Sequence, residues 1–255
     1  MGANLTVTGN DRELSTTRRS VVGLRGSWLL LAVLSTTAGA VDVIGFLALG
    51  GLFTAHITGN LVVVAAHYIT GGPGHVGPLL ALPVFVAVLG AVTVASVAIE
   101  RAGYGSGRGL MVLHAGLLTG SLGLGVAFGP FADTDRPIAL LVSMLAVAAM
   151  ATQNALVKLV LPGAPSTAVM TTNITQLIVD LCAFARWSGE PDDLARARRR
   201  QASLTFPCVV GFVAGCAAGA ALEVHLGLWA LVLPALLAVL AVALGERRDD
   251  LGVGT

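Results

Sequence analysis

The sequence predicts an all-α integral membrane protein, in which a helical bundle crosses the bilayer six to eight times. Hydrophobic residues make up 55% of the 255 positions and charged residues only 11%, and the mean hydropathy is +0.85. Soluble domains carry about 25% charged residues. The chain also contains eight apolar segments of roughly 18 to 25 residues, close to the length that a helix needs to cross the hydrocarbon core.

The segments follow one another within a single membrane domain, residues 27–245, between a polar N-terminal tail, residues 1–26, and a charged C-terminal tail, residues 246–255. The first tail is too long and too mixed in charge for the basic region of a cleaved signal, so we expect the first segment to remain as an anchor. The expected segments are 27–50, 53–70, 79–99, 109–129, 137–161, 166–185, 203–222 and 226–245.

Each segment has its own character. The first holds an acid, Asp42, and the second and sixth are polar enough that we expect them to avoid lipid. The third and seventh carry stripes of small residues four positions apart, which let helices approach closely. The fourth contains a lone histidine, His114, the fifth contains an amide pair, Gln153 and Asn154, and the eighth carries no charge.

The distribution of basic residues favours six crossings over eight. If all eight segments cross and the N-terminus is cytoplasmic, 12 of the 15 Lys and Arg residues are cytoplasmic. If the second and sixth segments enter and leave on one side, the number rises to 14, and only Arg136 lies outside. Cytoplasmic loops of membrane proteins are enriched in Lys and Arg. Both alternatives place the two termini in the cytoplasm.

Two stretches of the chain match after a shift, which predicts an internal repeat of residues 27–130 in residues 137–245. A shift of 124 residues matches Pro83 with Pro207. The same shift matches a stripe of alanines with a stripe of glycines, namely Ala87 with Gly211, Ala91 with Gly215 and Ala95 with Gly219. A shift of 113 matches Thr54 with Thr167, Ala55 with Ala168, Thr58 with Thr171, and Asn60 with Asn173. The halves are inverted if six segments cross and parallel if eight cross, and inverted halves are a recurrent plan of transporters.

Asp42 lies near the middle of the first segment, where a charge facing lipid would cost about 2.5 to 3.5 kcal/mol on insertion scales. We therefore expect its carboxyl group to face protein or water. Ala38, Asp42 and Gly45 share one helical face, so small neighbours allow another backbone or a wet crevice close by. The alternative is a hydrogen-bonded Asp that only ties two helices together.

Polar residues recur at the spacing of a helical face in two segments, namely His56, Asn60 and His67 in the second and Asn173, Gln176 and Asp180 in the sixth. Under the shift of 113 residues, Asn60 meets Asn173 and His67 meets Asp180, so the two stripes could face each other across one central site. Gln153 and Asn154 lie in the fifth segment, close to the position that Asp42 occupies in the first segment, and could bind its carboxyl group. The alternative is that these groups merely join helices. The candidate binding residues are Asp42, Thr58, Asn60, His67, Gln153, Asn154, Thr171, Asn173, Gln176 and Asp180.

One run of the sequence resembles the YoaK-like family of bacterial multipass membrane proteins, a family of unknown function. The run contains Ala38-Gly39, Asp42, Phe46-Leu47 and Gly50, and it continues through residues 53–60. Gln153-Asn154 and residues 171–173 look like the second signature of that family, except that Thr172 replaces the expected glycine. The resemblance covers most of residues 27–245 and implies a bacterial inner-membrane protein with no established substrate.

The sequence favours a secondary transporter or permease for a small solute, coupled to protons through Asp42. The alternative is a non-transporting membrane protein that acts in assembly, lipid organisation or a partner complex. We expect no enzyme and no cofactor, because the chain has no nucleophile elbow, zinc motif, phosphate loop or nucleotide fingerprint. The chain has 15 basic and 14 acidic residues, and because it therefore lacks an excess of positive charge, we expect no nucleic-acid partner. The expected partner is the lipid bilayer itself.

Overall fold

The computed structural model describes residues 8–71, 76–186 and 192–250, and within these residues every regular element is a helix. A 3-10 helix, Gly227–Leu231, joins the last two α-helices, and Gly227 adopts a positive φ of 58° at that turn. The α-helices are α1 Thr8–Ala48, α2 Ile57–Thr70, α3 Val76–Arg101, α4 Gly107–Phe128, α5 Pro137–Val160, α6 Met170–Arg186, α7 Asp192–Leu226 and α8 Val232–Asp250.

The structure confirms the all-helical bundle, and each of the eight expected segments contains a helix. Several boundaries differ, and among them α7 begins at Asp192, 11 residues before the expected start at 203, while α8 begins at Val232, after the 3-10 helix. Helix α1 begins at Thr8, so most of the polar tail continues the first apolar segment as helix. Helices α2 and α6 begin at Ile57 and Met170, about one turn later than expected, because the preceding residues form non-helical stretches. We call residues 49–56 the first stretch and residues 161–169 the second stretch.

The helices have a neighbour pattern that is unchanged when α1 to α4 are exchanged with α5 to α8. Helix α1 packs on α7 and α8, and helix α5 packs on α3 and α4. Helix α2 lies on α3, helix α6 lies on α7, and α4 contacts α8. Each of the first four helices therefore has neighbours that correspond to those of its counterpart among the last four.

The close packing of α1 on α7 depends on the glycine stripe that the sequence predicts. A Cβ atom on Gly211 would lie 2.7 Å from the carbonyl oxygen of Ala32, and one on Gly219 would lie 3.0 Å from the Cα of Ala40. Gly39 approaches the carbonyl oxygen of Phe212 even more closely. Larger residues would push the two backbones apart, so glycine sets the distance between these helices.

The matching alanine stripe on α3 does not pack in this way. Ala87, Ala91 and Ala95 are exposed, and α3 instead buries a face that includes Ala81, Val92 and Ser96. Within the described chain, this stripe therefore makes no close contact with another helix. Small size permits close approach of helices but does not create it, and the buried positions of α3 are themselves mostly small residues.

The centre of the bundle is lined by small side chains. One buried cluster is made largely of alanines from four helices and from both stretches. Ala55 of the first stretch and Ala168 of the second are 6% and 1% exposed, and both belong to this cluster. The two breaks in the helical structure therefore reach the same part of the core.

Five parts of the described chain are long and apolar enough to cross a membrane, which agrees with an integral membrane bundle. The last of them, Asp193–Gly245, is 53 residues long and includes both α7 and α8. Helix α2 has only 14 residues. Helices α2 and α6 also expose apolar side chains, Val62 and Ile69 on α2 and Ile178 and Leu181 on α6. Their polar residues occupy only part of each helix surface.

Candidate functional site

The carboxylate of Asp42 binds three consecutive residues of the first stretch. Its Oδ1 accepts hydrogen bonds from the backbone N–H of Thr54 at 2.8 Å, the Thr54 hydroxyl at 2.9 Å and the backbone N–H of Ala55 at 2.6 Å. Its Oδ2 lies 2.6 Å from Nδ1 of His56. Asp42 is only 3% exposed, so these groups replace water around a buried acid.

Glycines allow the first stretch to return to Asp42. Gly50 and Gly51 have φ values of 73° and 75°, a conformation that costs glycine little, and they reverse the chain after α1. At Gly45 the returning backbone passes so close that a Cβ atom would lie 2.8 Å from the carbonyl oxygen of Leu52. These glycines therefore bring residues 54–56 beside the helix that they have just left.

Asn60 fixes the first stretch from the other side. Its Oδ1 accepts a hydrogen bond from the backbone N–H of Phe53 at 2.8 Å, and its Nδ2 donates to the carbonyl oxygen of the same residue at 2.7 Å. The side chain is fully buried. This pair of bonds satisfies backbone groups that a helix would otherwise satisfy, which explains why α2 begins after residue 53 rather than at it.

His56 connects the buried acid to the outside of the chain. The side chain of His56 is 36% exposed, whereas that of Asp42 is 4% exposed. The imidazole lies edge-on to two phenyl rings, 5.4 Å from the centroid of Phe212 on α7 and 6.3 Å from that of Phe53. The Phe53 ring is in turn 5.1 Å from that of Phe46. We call Phe46, Phe53 and Phe212 the aromatic rim.

The second stretch is held in a similar way, but by an amide. Nε2 of Gln153 on α5 donates to the hydroxyl of Thr167 at 2.9 Å and to the carbonyl oxygen of Leu34 on α1 at 3.0 Å. Nδ2 of Asn173 donates to the carbonyl oxygen of Ser166 at 2.6 Å, seven residues back, as Asn60 does to Phe53. Gln153 is fully buried, and this half has an uncharged group where the first half has Asp42.

A third group of polar residues joins α6 to α7. Oδ1 of Asp180 accepts a hydrogen bond from Nε2 of Gln176 at 2.9 Å and lies 3.4 Å from a guanidinium nitrogen of Arg198. Asp180 is 1% exposed, and the side chain of Arg198 is 25% exposed. The basic run at the start of α7 is thus linked to a buried acid.

The structure brings only some of the candidate residues together. Gln176 and Asp180 are hydrogen-bond partners, and Asp180 also forms an ion pair with Arg198. His67 lies in the last turn of α2, with its ring beside Gly51. Gln153 does not bind Asp42, and Nδ2 of Asn154 donates to the carbonyl oxygen of Met150 on its own helix. Thr58 and Thr171 lie exposed in the first turns of α2 and α6.

Four partners of these residues are not among the candidate binding residues that the sequence predicts, namely Thr54, His56, Thr167 and Arg198. His56 was assigned to a helical stripe with Asn60, but it precedes α2 and faces Asp42 instead. The signal was present in the sequence, because Asp42 and the residues that bind it belong to the same resembling run. In the described parts of the chain, no cluster of three or more His, Cys, Asp or Glu side chains is arranged to hold a metal ion.

Comparison with known proteins identifies related sequences but no related solved structure. Residues 30–244 match the model of a family described as a protein of unknown function, DUF1275. Over 35 residues, the chain is 60% identical to the UPF0700 transmembrane protein YoaK of Bacillus subtilis (strain 168). That stretch covers 14% of this chain and 16% of the relative. No solved structure matches the chain.

Proposed function

The chain belongs to the DUF1275 family, whose function is unknown, and from its own site we propose that it is a secondary transporter or permease for a small solute, coupled to protons. The observation that carries this proposal is the pairing of buried Asp42 with half-exposed His56. An ionisable residue within a membrane span is costly to maintain and marks a transport or proton pathway by default. Asp42 lies within the apolar span Trp28–Ala48.

The pair gives a proton a defined place to bind. Every group at Oδ1 of Asp42 is a donor, so this oxygen is occupied by the first stretch. Nδ1 of His56 faces Oδ2 of Asp42, which leaves Nε2 as the ring nitrogen of this partly exposed side chain that is not paired with the carboxylate. We therefore assign proton exchange with the outside to Nε2 of His56, and to Asp42 the role of holding the ring and balancing its charge.

We further propose six crossings, made by α1, α3, α4, α5, α7 and α8, with both termini on the cytoplasmic side of the bacterial cell membrane. The 14 residues of α2 rise about 21 Å, short of the ~30 Å hydrocarbon core. Helix α6 has 17 residues, and both short helices begin after a stretch that reaches the central alanine cluster. This topology leaves 14 of the 15 basic residues in the cytoplasm.

Six crossings also make the two halves inverted repeats. The exchangeable neighbour pattern of the helices supports this proposal, and so do the bonds that Asn60 and Asn173 each make to a residue seven positions back. Broken segments near the centre of inverted repeats are typical of secondary transporters. On this proposal, the first half supplies the charged site and the second half a neutral counterpart.

The topology can be tested at the connection between α3 and α4. Tyr104 lies there and is 72% exposed. In a chain without its native cysteines, Tyr104→Cys should be protected from an impermeant thiol reagent in intact cells and become labelled once the membrane is opened. Labelling from outside the intact cell would instead indicate eight crossings and parallel halves.

Transport can be tested with the purified full chain in liposomes that contain a pH indicator. Pools of small amines, amino acids, sugars and carboxylates would be added outside, and internal pH would be followed. We expect at least one pool to move protons, and His56→Gln to abolish this movement while the control Val62→Ala, on the exposed face of α2, retains it. Absence of solute-driven proton movement in every pool, or its full retention in His56→Gln, would contradict the proposal.

A second candidate function, association with a partner protein, is favoured by the exposed alanine stripe on α3. A polar thiol reagent distinguishes the two candidates, because transport requires a wet site at residue 56. In a chain without native cysteines, His56→Cys should react, whereas Leu236→Cys, on an exposed apolar face of α8, should be protected by lipid. Equal protection at both positions would favour the partner role.

A further inference from the structure

We infer that the solute is a hydrophobic organic cation, which binds against the aromatic rim beside His56 and exchanges with the proton on that ring. This inference rests on the proposed function for the transport step, whereas binding of the ligand can be tested separately. It follows from the charge of the site, the nature of its lining and the position of Nε2.

The charge of the site favours a cation. Asp42 supplies a buried negative charge, and the one ion-pair partner that the structure describes for it is His56. A further titratable group close enough to interact with the Asp42 charge is Cys216 on α7, and the His67 ring of α2 lies beside Gly51 of the first stretch. With the imidazole neutral, a bound cation would balance the carboxylate, whereas an anion would be repelled by it.

The aromatic rim favours a cation with apolar substituents. Phenyl faces attract positive charge, and centroid separations of 5.1 to 6.3 Å join Phe46, Phe53, His56 and Phe212 into one continuous row of rings. Phe46 is 45% exposed, so a ligand can cover ring surface that the chain leaves open. Rings of this kind recognise a bulky ammonium or phosphonium ion better than a small hydrated ion.

The same carboxylate would balance either the proton or the ligand. When His56 is protonated, its charge compensates that of Asp42. When the ligand binds, Nε2 releases its proton to solvent, and Nδ1 keeps its hydrogen atom against Oδ2 of Asp42. Binding of proton and ligand therefore oppose each other, and linkage requires that each weakens the other by the same factor.

Tetraphenylphosphonium is a suitable probe, and triphenylphosphine oxide is its uncharged analogue. Equilibrium dialysis of the purified full chain, against matched detergent without protein, should show saturable binding of the cation. Affinity should rise by up to about 10-fold per pH unit over the range in which His56 titrates, with release of up to about one proton per ligand. Absence of saturable binding, pH-independent affinity, or equal affinity for the oxide would overturn the inference.

Variants locate the site. His56→Gln should bind tetraphenylphosphonium without the pH dependence and without proton release. Phe212→Ala should weaken binding about 3- to 10-fold through loss of one ring. Phe206→Ala is the matched control, because Phe206 is 57% exposed on the same helix and lies outside the rim. Equal affinities of the Phe206 and Phe212 variants would place any bound cation elsewhere and refute the site.

The two proposals fail in different ways. If the cation binds as described but moves no protons in liposomes, the ligand class stands and the transport function fails. If a neutral or anionic solute drives proton movement through His56 while tetraphenylphosphonium does not bind, transport stands and the inference about the ligand fails.

Discussion

Replacing Gly215 by alanine is a direct test of the α1 and α7 packing that positions the aromatic rim. A Cβ atom at Gly215 would lie 2.9 Å from the carbonyl carbon and 3.0 Å from the Cα of Thr36, with the carbonyl oxygen nearer still. These are backbone atoms, so no side-chain rotation can relieve the contact. The helices must separate by at least ~0.5 Å to restore ordinary packing distances.

The expected magnitude is the balance of two opposing effects. Alanine favours the helical conformation over glycine by about 0.5 to 1 kcal/mol. Overpacking a close contact costs about 1 to 3 kcal/mol. We therefore expect Gly215→Ala to lower the free energy of unfolding by up to about 2.5 kcal/mol, and to lie about 1 to 3 kcal/mol below a Gly→Ala change that meets no contact.

Gly90→Ala on α3 is the matched control, because a Cβ atom there would meet nothing within 4 Å. Gly90→Ala should show only the gain in helix propensity and no overpacking cost, so it should leave the free energy of unfolding unchanged or raise it. Reversible unfolding of both variants in mixed micelles, followed by circular dichroism, measures the difference. If Gly215→Ala is as stable as Gly90→Ala, glycine does not set the distance between α1 and α7, and the reasoning fails.

Two further predictions concern the polar contacts. Asn60→Ala should lower the free energy of unfolding by about 1 to 3 kcal/mol, because it leaves both backbone groups of Phe53 without their partner. Thermal unfolding should show a smaller loss for the control Asn154→Ala, which removes one bond within its own helix. A larger loss for Asn154→Ala than for Asn60→Ala would contradict this account. Asp180→Asn and Arg198→Gln should be coupled by about 0.5 kcal/mol or more in a double-mutant cycle of unfolding free energies, whereas additive effects would show that this pair does not stabilise the contact between α6 and α7.

Hydropathy predicts the helices well because the requirement for apolar length acts locally on each segment. It does not predict where α2 and α6 begin, since those positions depend on single side chains, Asn60 and Asn173, that bind backbone groups seven residues earlier. A helical period that is applied through residues 53–56 places His56 on one face with Asn60, whereas His56 precedes α2 and binds Asp42. A helical-face rule cannot apply where the chain is not a helix.

The candidate site was predicted in part for a related reason. The cost of burying a charge identifies Asp42 as important from sequence alone. Its partners depend on the reversal at Gly50 and Gly51, which is a property of the folded backbone. Likewise, an exposed and a buried stripe of small residues have the same spacing, so the sequence does not distinguish Ala87 on α3 from Gly211 on α7.

The bonding of Asp42 also has a consequence for synthesis of the protein. The groups that bind its carboxylate follow it by 12 to 14 residues, so the acid emerges from the ribosome before any of its partners. Until they arrive, α1 must enter the lipid with an uncompensated acid. We therefore expect α1 to integrate more efficiently as a hairpin with residues 49–60 than alone. A nascent chain truncated after Gly50 should be a poorer membrane anchor than one extended to Asn60, and Asp42→Leu should remove the difference.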